Sequence, residues 1–140
     1  MTLEESIKLL ALIKLAYPNS YKDIDRETQL ATVNMWQMSF PDVPYPIMEQ
    51  AFNHFRMVSK FPPTVAEMVE ELKNIHYRAT ECALIQNMMG DEAGVQQYKA
   101  IMACTKRYTD ETNFQVLDIR GMPRLGGEAG AGRPALGDGV

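Results

Sequence analysis

Cysteine is scarce in this chain, and the two present, Cys82 and Cys104, stand apart. Neither belongs to a CxxC pair or has a histidine at ligand spacing, so the pattern reads as buried thiols rather than a disulfide framework or a zinc site. Long apolar runs are missing too. No stretch approaches the ~20 residues that a membrane span needs, and the opening Thr2-Leu3-Glu4-Glu5 is acidic and helix-capping, unlike a targeting leader. The reading is a soluble, intracellular protein. A basic patch is also lacking: net charge is −4, with seven acidic and six basic residues over 1–64, nine and six over 65–120, and two of each beyond. Duplex DNA binding draws on Lys and Arg contacts to phosphate, so this balance disfavours autonomous non-specific DNA binding. A protein is the expected partner.

Catalytic signatures are absent as well. The chain has no GxxxxGK[ST] phosphate loop, no GxGxxG, no HExxH and no nucleophile elbow. His54 and His76 have no second ligand one turn away, and read as structural or surface histidines. Glu67, Glu70 and Glu71 sit at a helix start, where carboxylates suit the dipole and the solvated face better than acid–base chemistry. No cofactor or metal site is predicted, and no enzyme. Ten methionines, Met88-Met89 among them, read as core filler, with an adaptable binding surface as the alternative.

What the sequence does contain is helical punctuation. Thr2 and Glu5 have capping-box spacing, and Leu3, Ile7, Leu10, Ile13 and Tyr17 recur at helical intervals, predicting a first helix over roughly 3–17, with an arc wide enough to be covered on two sides. Tyr17-Pro18 ends it. Asp25 caps a second helix whose Leu30, Val33, Trp36 and Phe40 face one way until Pro41, with Trp36 read as core rather than as an exposed hot spot. Pro46 suits the first turn of a third, on which Ile47, Ala51, Phe55 and Val58 recur. It runs into Ser59-Lys60-Phe61-Pro62-Pro63-Thr64, where the double proline forces a corner and Phe61 reads as a core plug beneath it. Phe61→Ala would then cost roughly 3 to 5 kcal/mol. Thr64 and Glu67 form a second capping box, and Met68, Leu72, Ile75, Ala79, Cys82, Gln86 and Met89 make a heptad-like seam along a long fourth helix that stops at Gly90. Asp91 caps a fifth carrying Val95, Tyr98, Met102, Thr105 and Tyr108, weakened by Gly94 in its first turns.

Beyond Thr109 the pattern dissolves. One apolar island remains, Phe114-Gln115-Val116-Leu117-Asp118-Ile119-Arg120, ahead of a stretch holding seven of the nine glycines. The glycine-rich tail is expected to be disordered. The island is either an element that docks back on the bundle or a linear motif for a partner. The expected fold is all-α: a helical bundle over 2–89, a further helix over 91–108 and a flexible region over 109–140.

The order Leu15-Ala16-Tyr17-Pro18, Val33-Asn34-Met35-Trp36, Ala51-Phe52-Asn53-His54-Phe55 and Lys60-Phe61-Pro62-Pro63-Thr64-Val65-Ala66-Glu67 resembles the phage replicative-helicase loader and inhibitor family over roughly residues 2–72. The resemblance implies a small helical protein without ATPase activity in the bacterial host cytoplasm. It would bind a hexameric DnaB-type helicase, hold it inactive and deliver it through an origin-bound initiator. Such proteins carry the helicase contact in a flexible C-terminal region, which here makes Phe114, Val116, Leu117, Ile119 and Arg120 the contact candidates. The chain departs from the family in its longer fourth helix and its fifth helix. The alternative is a small helical DNA-binding or regulatory phage protein, which needs basic residues gathered on one helix face; only Lys106-Arg107 offers a pair.

Overall fold

Thr2 and Asp25 start the first two helices by the same local chemistry. In the computed structural model, which describes residues 1–109, α1 (Leu3–Ala16) begins where the Thr2 hydroxyl accepts the Glu5 N–H at 3.1 Å and the Glu5 carboxylate accepts the Thr2 N–H at 2.9 Å. Two backbone donors that the helix start leaves unpaired are thereby satisfied. α2 (Arg26–Ser39) begins at Asp25, whose carboxylate accepts the Thr28 N–H at 2.9 Å. That hydrogen bonding holds the Asp25 carboxyl below its ordinary range. Each helix ends one residue before a position that proline excludes from helical geometry, at Tyr17-Pro18 and Phe40-Pro41.

α3 (Tyr45–Arg56) carries Pro46 in its first turn. It stops three residues short of Ser59, because the N–H groups of Met57 and Val58 turn back to the His54 and Phe55 carbonyls at 3.3 and 3.1 Å. Val58 therefore leaves the helical face and is 75% exposed, and the buried side reads Tyr45, Met48, Ala51, Phe52 and Phe55. α1 likewise falls short of its expected coverage. Leu9, Leu10 and Ile13 are buried, but Leu3 and Ile7 are about half exposed, because α2 and α3 cover only part of its apolar arc.

α4 (Val65–Met88) starts at the second capping box, with Thr64 N–H on the Glu67 carboxylate at 2.9 Å and Glu67 N–H on the Thr64 hydroxyl at 3.1 Å. Met68, Leu72, Ile75 and Ala79 of its seam are buried, while Met89 is exposed. Gly90 closes the helix at φ 77, with Asp91 N–H on the Gln86 carbonyl at 2.9 Å and Gly90 N–H on the Asn87 carbonyl at 3.2 Å. A side chain would be strained there. α5 (Glu92–Thr105) then runs back along α4. Its cap, Asp91 accepting the Gly94 N–H at 3.0 Å, explains the glycine: a Cβ on residue 94 would lie 2.6 Å from Asp91 Oδ2.

Two histidines tie helices together. His54 of α3 bonds through Nδ1 to Glu71 of α4 at 2.7 Å, partnering a carboxylate that is only 9% exposed. His76 Nδ1 of α4 lies 3.0 Å from the Thr105 hydroxyl of α5, which is also 2.8 Å from the Ile101 carbonyl.

The core is one cluster in which Leu9, Ile13, Trp36, Phe40, Met48, Phe52, Met68 and Leu72 meet Tyr108. Tyr108 arrives on a 3₁₀ turn (Lys106–Tyr108) and stacks on Phe40, which stacks on Trp36, both at centroid separations of 5.7 Å. Residues 39–43 are held from two directions. The Met1 amino group donates to the carbonyls of Phe40, Pro41 and Val43 at 2.9, 3.1 and 3.0 Å. From the other side the Tyr108 hydroxyl donates to the Ser39 carbonyl at 2.9 Å, and Arg107 pairs with Asp42 at 3.1 Å. Burial pushes the Tyr108 phenol up to about 12.

Candidate partner-binding surface

The corner between α3 and α4 is rigid, and it presents an aromatic ring rather than hiding one. The Ser59 hydroxyl donates to the Phe61 carbonyl at 2.9 Å and accepts the Phe61 N–H at 3.2 Å, while the Ser59 carbonyl accepts the Tyr17 hydroxyl at 3.0 Å. Tyr17 is itself seated edge-on against Phe52, with centroids 6.3 Å apart. Pro63 is buried and Pro62 half-buried. The Phe61 ring is 75% exposed, which overturns its reading as a core plug: with Pro63 and Phe55 filling the interior side, the serine clamp turns the ring outward. Met57 and Val58 beside it are equally open. Phe61→Ala is accordingly expected to shift the unfolding free energy by no more than about 0.5 kcal/mol, the surface range, in place of the larger core value. Urea denaturation of the two proteins checks this.

A second apolar surface lies at the far end of α4, where Leu84, Ile85, Met88 and Met89 are exposed. A third is a groove of about 220 Å³ between α1 and α2, lined by Ile7, Leu10, Leu30 and Val33 with Lys14 and Arg26 beside them. Burial pushes the Cys104 thiol up, away from thiolate, and its Sγ–H points to the Ile101 carbonyl. Among the described residues no three His, Cys, Asp or Glu side chains come together as a metal would require. No described helix is long and apolar enough to cross a membrane.

Residues 1–69 match the family model described as the N-terminal domain of gene 39 protein. Over these residues, just under half of its length, the chain is similar to that domain. No curated protein and no solved structure matches the chain. That family is one of phage proteins that load and inhibit the DnaB helicase, and the match suggests a helicase-interacting phage protein. The gene 39 protein match takes in α1, α2, α3, the corner with Phe61, and the first turn of α4. It ends inside α4, before Leu72, Ile75 and Tyr108, which nonetheless belong to the same hydrophobic cluster.

Of the residues singled out in the sequence, the gene 39 protein domain buries Trp36 and Phe55, half-buries Tyr17 and Pro62, buries Pro63, and leaves Pro18, Phe61, Thr64 and Glu67 at the surface. Phe114, Val116, Leu117, Ile119 and Arg120 lie outside the described residues. The α1–α2 groove was not legible as a site. Its only sequence signal is the pairing of Lys14 with Ile7 and of Arg26 with Leu30, at helical spacings that look like ordinary amphipathic periodicity.

Proposed function

We propose that this protein is a phage DNA-replication adaptor that binds the hexameric replicative helicase, restrains it, and helps deliver it to the origin through an origin-binding initiator. The observation that carries the reading is the match of residues 1–69 to the N-terminal domain of gene 39 protein. The absence of a phosphate loop from the whole sequence supports a non-enzymatic role, in which any effect on ATP turnover passes through the helicase. Its place of action is the cytoplasm of the bacterial host. The island Phe114, Val116, Leu117, Ile119 and Arg120, which lies outside the described residues, carries the helicase contact in this reading.

The test is an ATPase assay on the purified host helicase with and without the protein, run beside a sizing column. The protein alone is expected to turn over no ATP, to suppress turnover by the helicase as it is added, and to migrate with the hexamer. ATP turnover by the protein alone, or separate migration, would remove the adaptor reading.

A further inference from the structure

The groove between α1 and α2 is an apolar surface with two cations among its lining residues. Leu10 and Val33 form its floor, and Ile7 and Leu30, each about half exposed at 49% and 50%, form its rims. Lys14 and Arg26 line it as well, and no Asp or Glu is among the lining residues. Neither cation makes an ion pair among the described residues, where the pairs are His54–Glu71 and Arg107–Asp42. Of the two carboxylates flanking Arg26 in sequence, Asp25 accepts the Thr28 N–H at the start of α2, and Glu27 is not among the residues that line the groove. Two unpaired cations beside an apolar slot favour a ligand that brings apolar side chains and negative charge together.

Size and architecture narrow the ligand further. At about 220 Å³ the groove falls below the roughly 300–1,000 Å³ of small-molecule sites. The described residues contain no strand, so a partner cannot add to a sheet edge and must pack on helices. A third helix laid along α1 and α2 does so, with apolar residues at i, i+3 and i+4 entering the slot.

We propose that the α1–α2 groove is a docking site for an acidic amphipathic helix of a protein partner, whose apolar face covers Ile7, Leu10, Leu30 and Val33 and whose carboxylates meet Lys14 and Arg26. This proposal does not depend on the helicase contact assigned above to residues 114–120. Single-stranded DNA is the less favoured occupant, because the slot offers no aromatic ring for a base to stack on.

Three probes test the site on the full chain: an acidic amphipathic peptide, its counterpart with every Glu replaced by Lys, and an oligothymidylate. Amide-resonance mapping by NMR gives the location, and fluorescence anisotropy gives the affinity. The acidic peptide is expected to perturb residues 7–14 and 26–33 and to bind roughly ten-fold or more tighter than the basic one, with the preference fading as salt rises. In the Lys14→Glu, Arg26→Glu double variant the preference is expected to invert, a gain that misfolding cannot produce. Leu30→Glu, at a half-exposed rim, removes binding of both peptides. Equal affinity for the two peptides, no binding of either, perturbations at Phe61 or the far end of α4 instead of the groove, or tighter binding of the oligothymidylate would each overturn the proposal.

Discussion

Replacing Tyr108 with alanine is expected to lower the unfolding free energy by about 3 to 5 kcal/mol, the range for truncating a buried aromatic. Tyr108 is 4% exposed, stacks on Phe40 and donates its hydroxyl to the Ser39 carbonyl. Removing the ring leaves a void against Phe40 and an acceptor without its donor. Tyr108→Phe keeps the ring and loses only the hydrogen bond, at about 1 kcal/mol. The same pair of proteins separates in alkali. Below the ordinary tyrosine value of 10.0 the phenol is protonated in both the folded and the unfolded chain, and burial raises the folded value to about 12. Between these values the unfolded chain gives up a proton that the folded chain still holds, so this contribution is complete below 10 and is lost as pH rises, by about 2 to 3 kcal/mol in all. Urea titrations through that window check the sign: the advantage of the natural protein over Tyr108→Phe shrinks as pH rises. A constant difference would mean that the phenol is solvated.

Exchanging Phe114, Val116, Leu117 and Ile119 together for serine is expected to weaken helicase binding by about 100-fold or more. Each apolar side chain contributes roughly 1.5 to 3 kcal/mol when covered, and ordering the segment on its partner costs about 2 to 5 kcal/mol. Four such side chains together contribute roughly 6 to 12 kcal/mol, and the mid-range surplus of about 5 kcal/mol exceeds the roughly 2.7 kcal/mol that a hundredfold change in affinity represents. Analytical sizing with the hexameric helicase gives the readout, and the thermal melting curve of the variant is the control. Unchanged co-migration would move the contact to the helical unit, where Phe61, Met57 and Val58 are the exposed apolar group nearest a rigid support.

Helix starts were legible because a cap is local chemistry: Thr2 with Glu5, Asp25 with Thr28, Thr64 with Glu67 and Asp91 with Gly94 each act within three residues. Stops at Pro18, Pro41 and Gly90 were legible for the same reason. Burial was harder, because it depends on what lies opposite. The spacing of Val58 from Phe55 looks helical, yet two tightened hydrogen bonds end α3 at Arg56 and turn Val58 outward. Phe61 was misplaced because the Ser59 hydroxyl, which grips its backbone on both sides, leaves no periodic trace. Met48 and Phe52 make the same point from inside: one turn apart on α3, they join the core more fully than Ile47, and only the placement of α1 and α4 against that face decides between them.

The two-sided hold on residues 39–43 also orders events in time. Its bonds join residues 39 to 42 apart through Met1 and 69 apart through Tyr108, whereas α4 and α5 meet across a single tight turn at Gly90 and Asp91. Closing a long loop costs more entropy before any contact repays it, so the α4–α5 hairpin forms early and the grip on residues 39–43 closes late. Contacts made after the rate-limiting step slow unfolding without hastening folding. In stopped-flow traces the Tyr108→Ala protein should therefore refold at nearly its natural rate and unfold much faster, and the amides around Phe40 should be the first of the core to exchange with solvent.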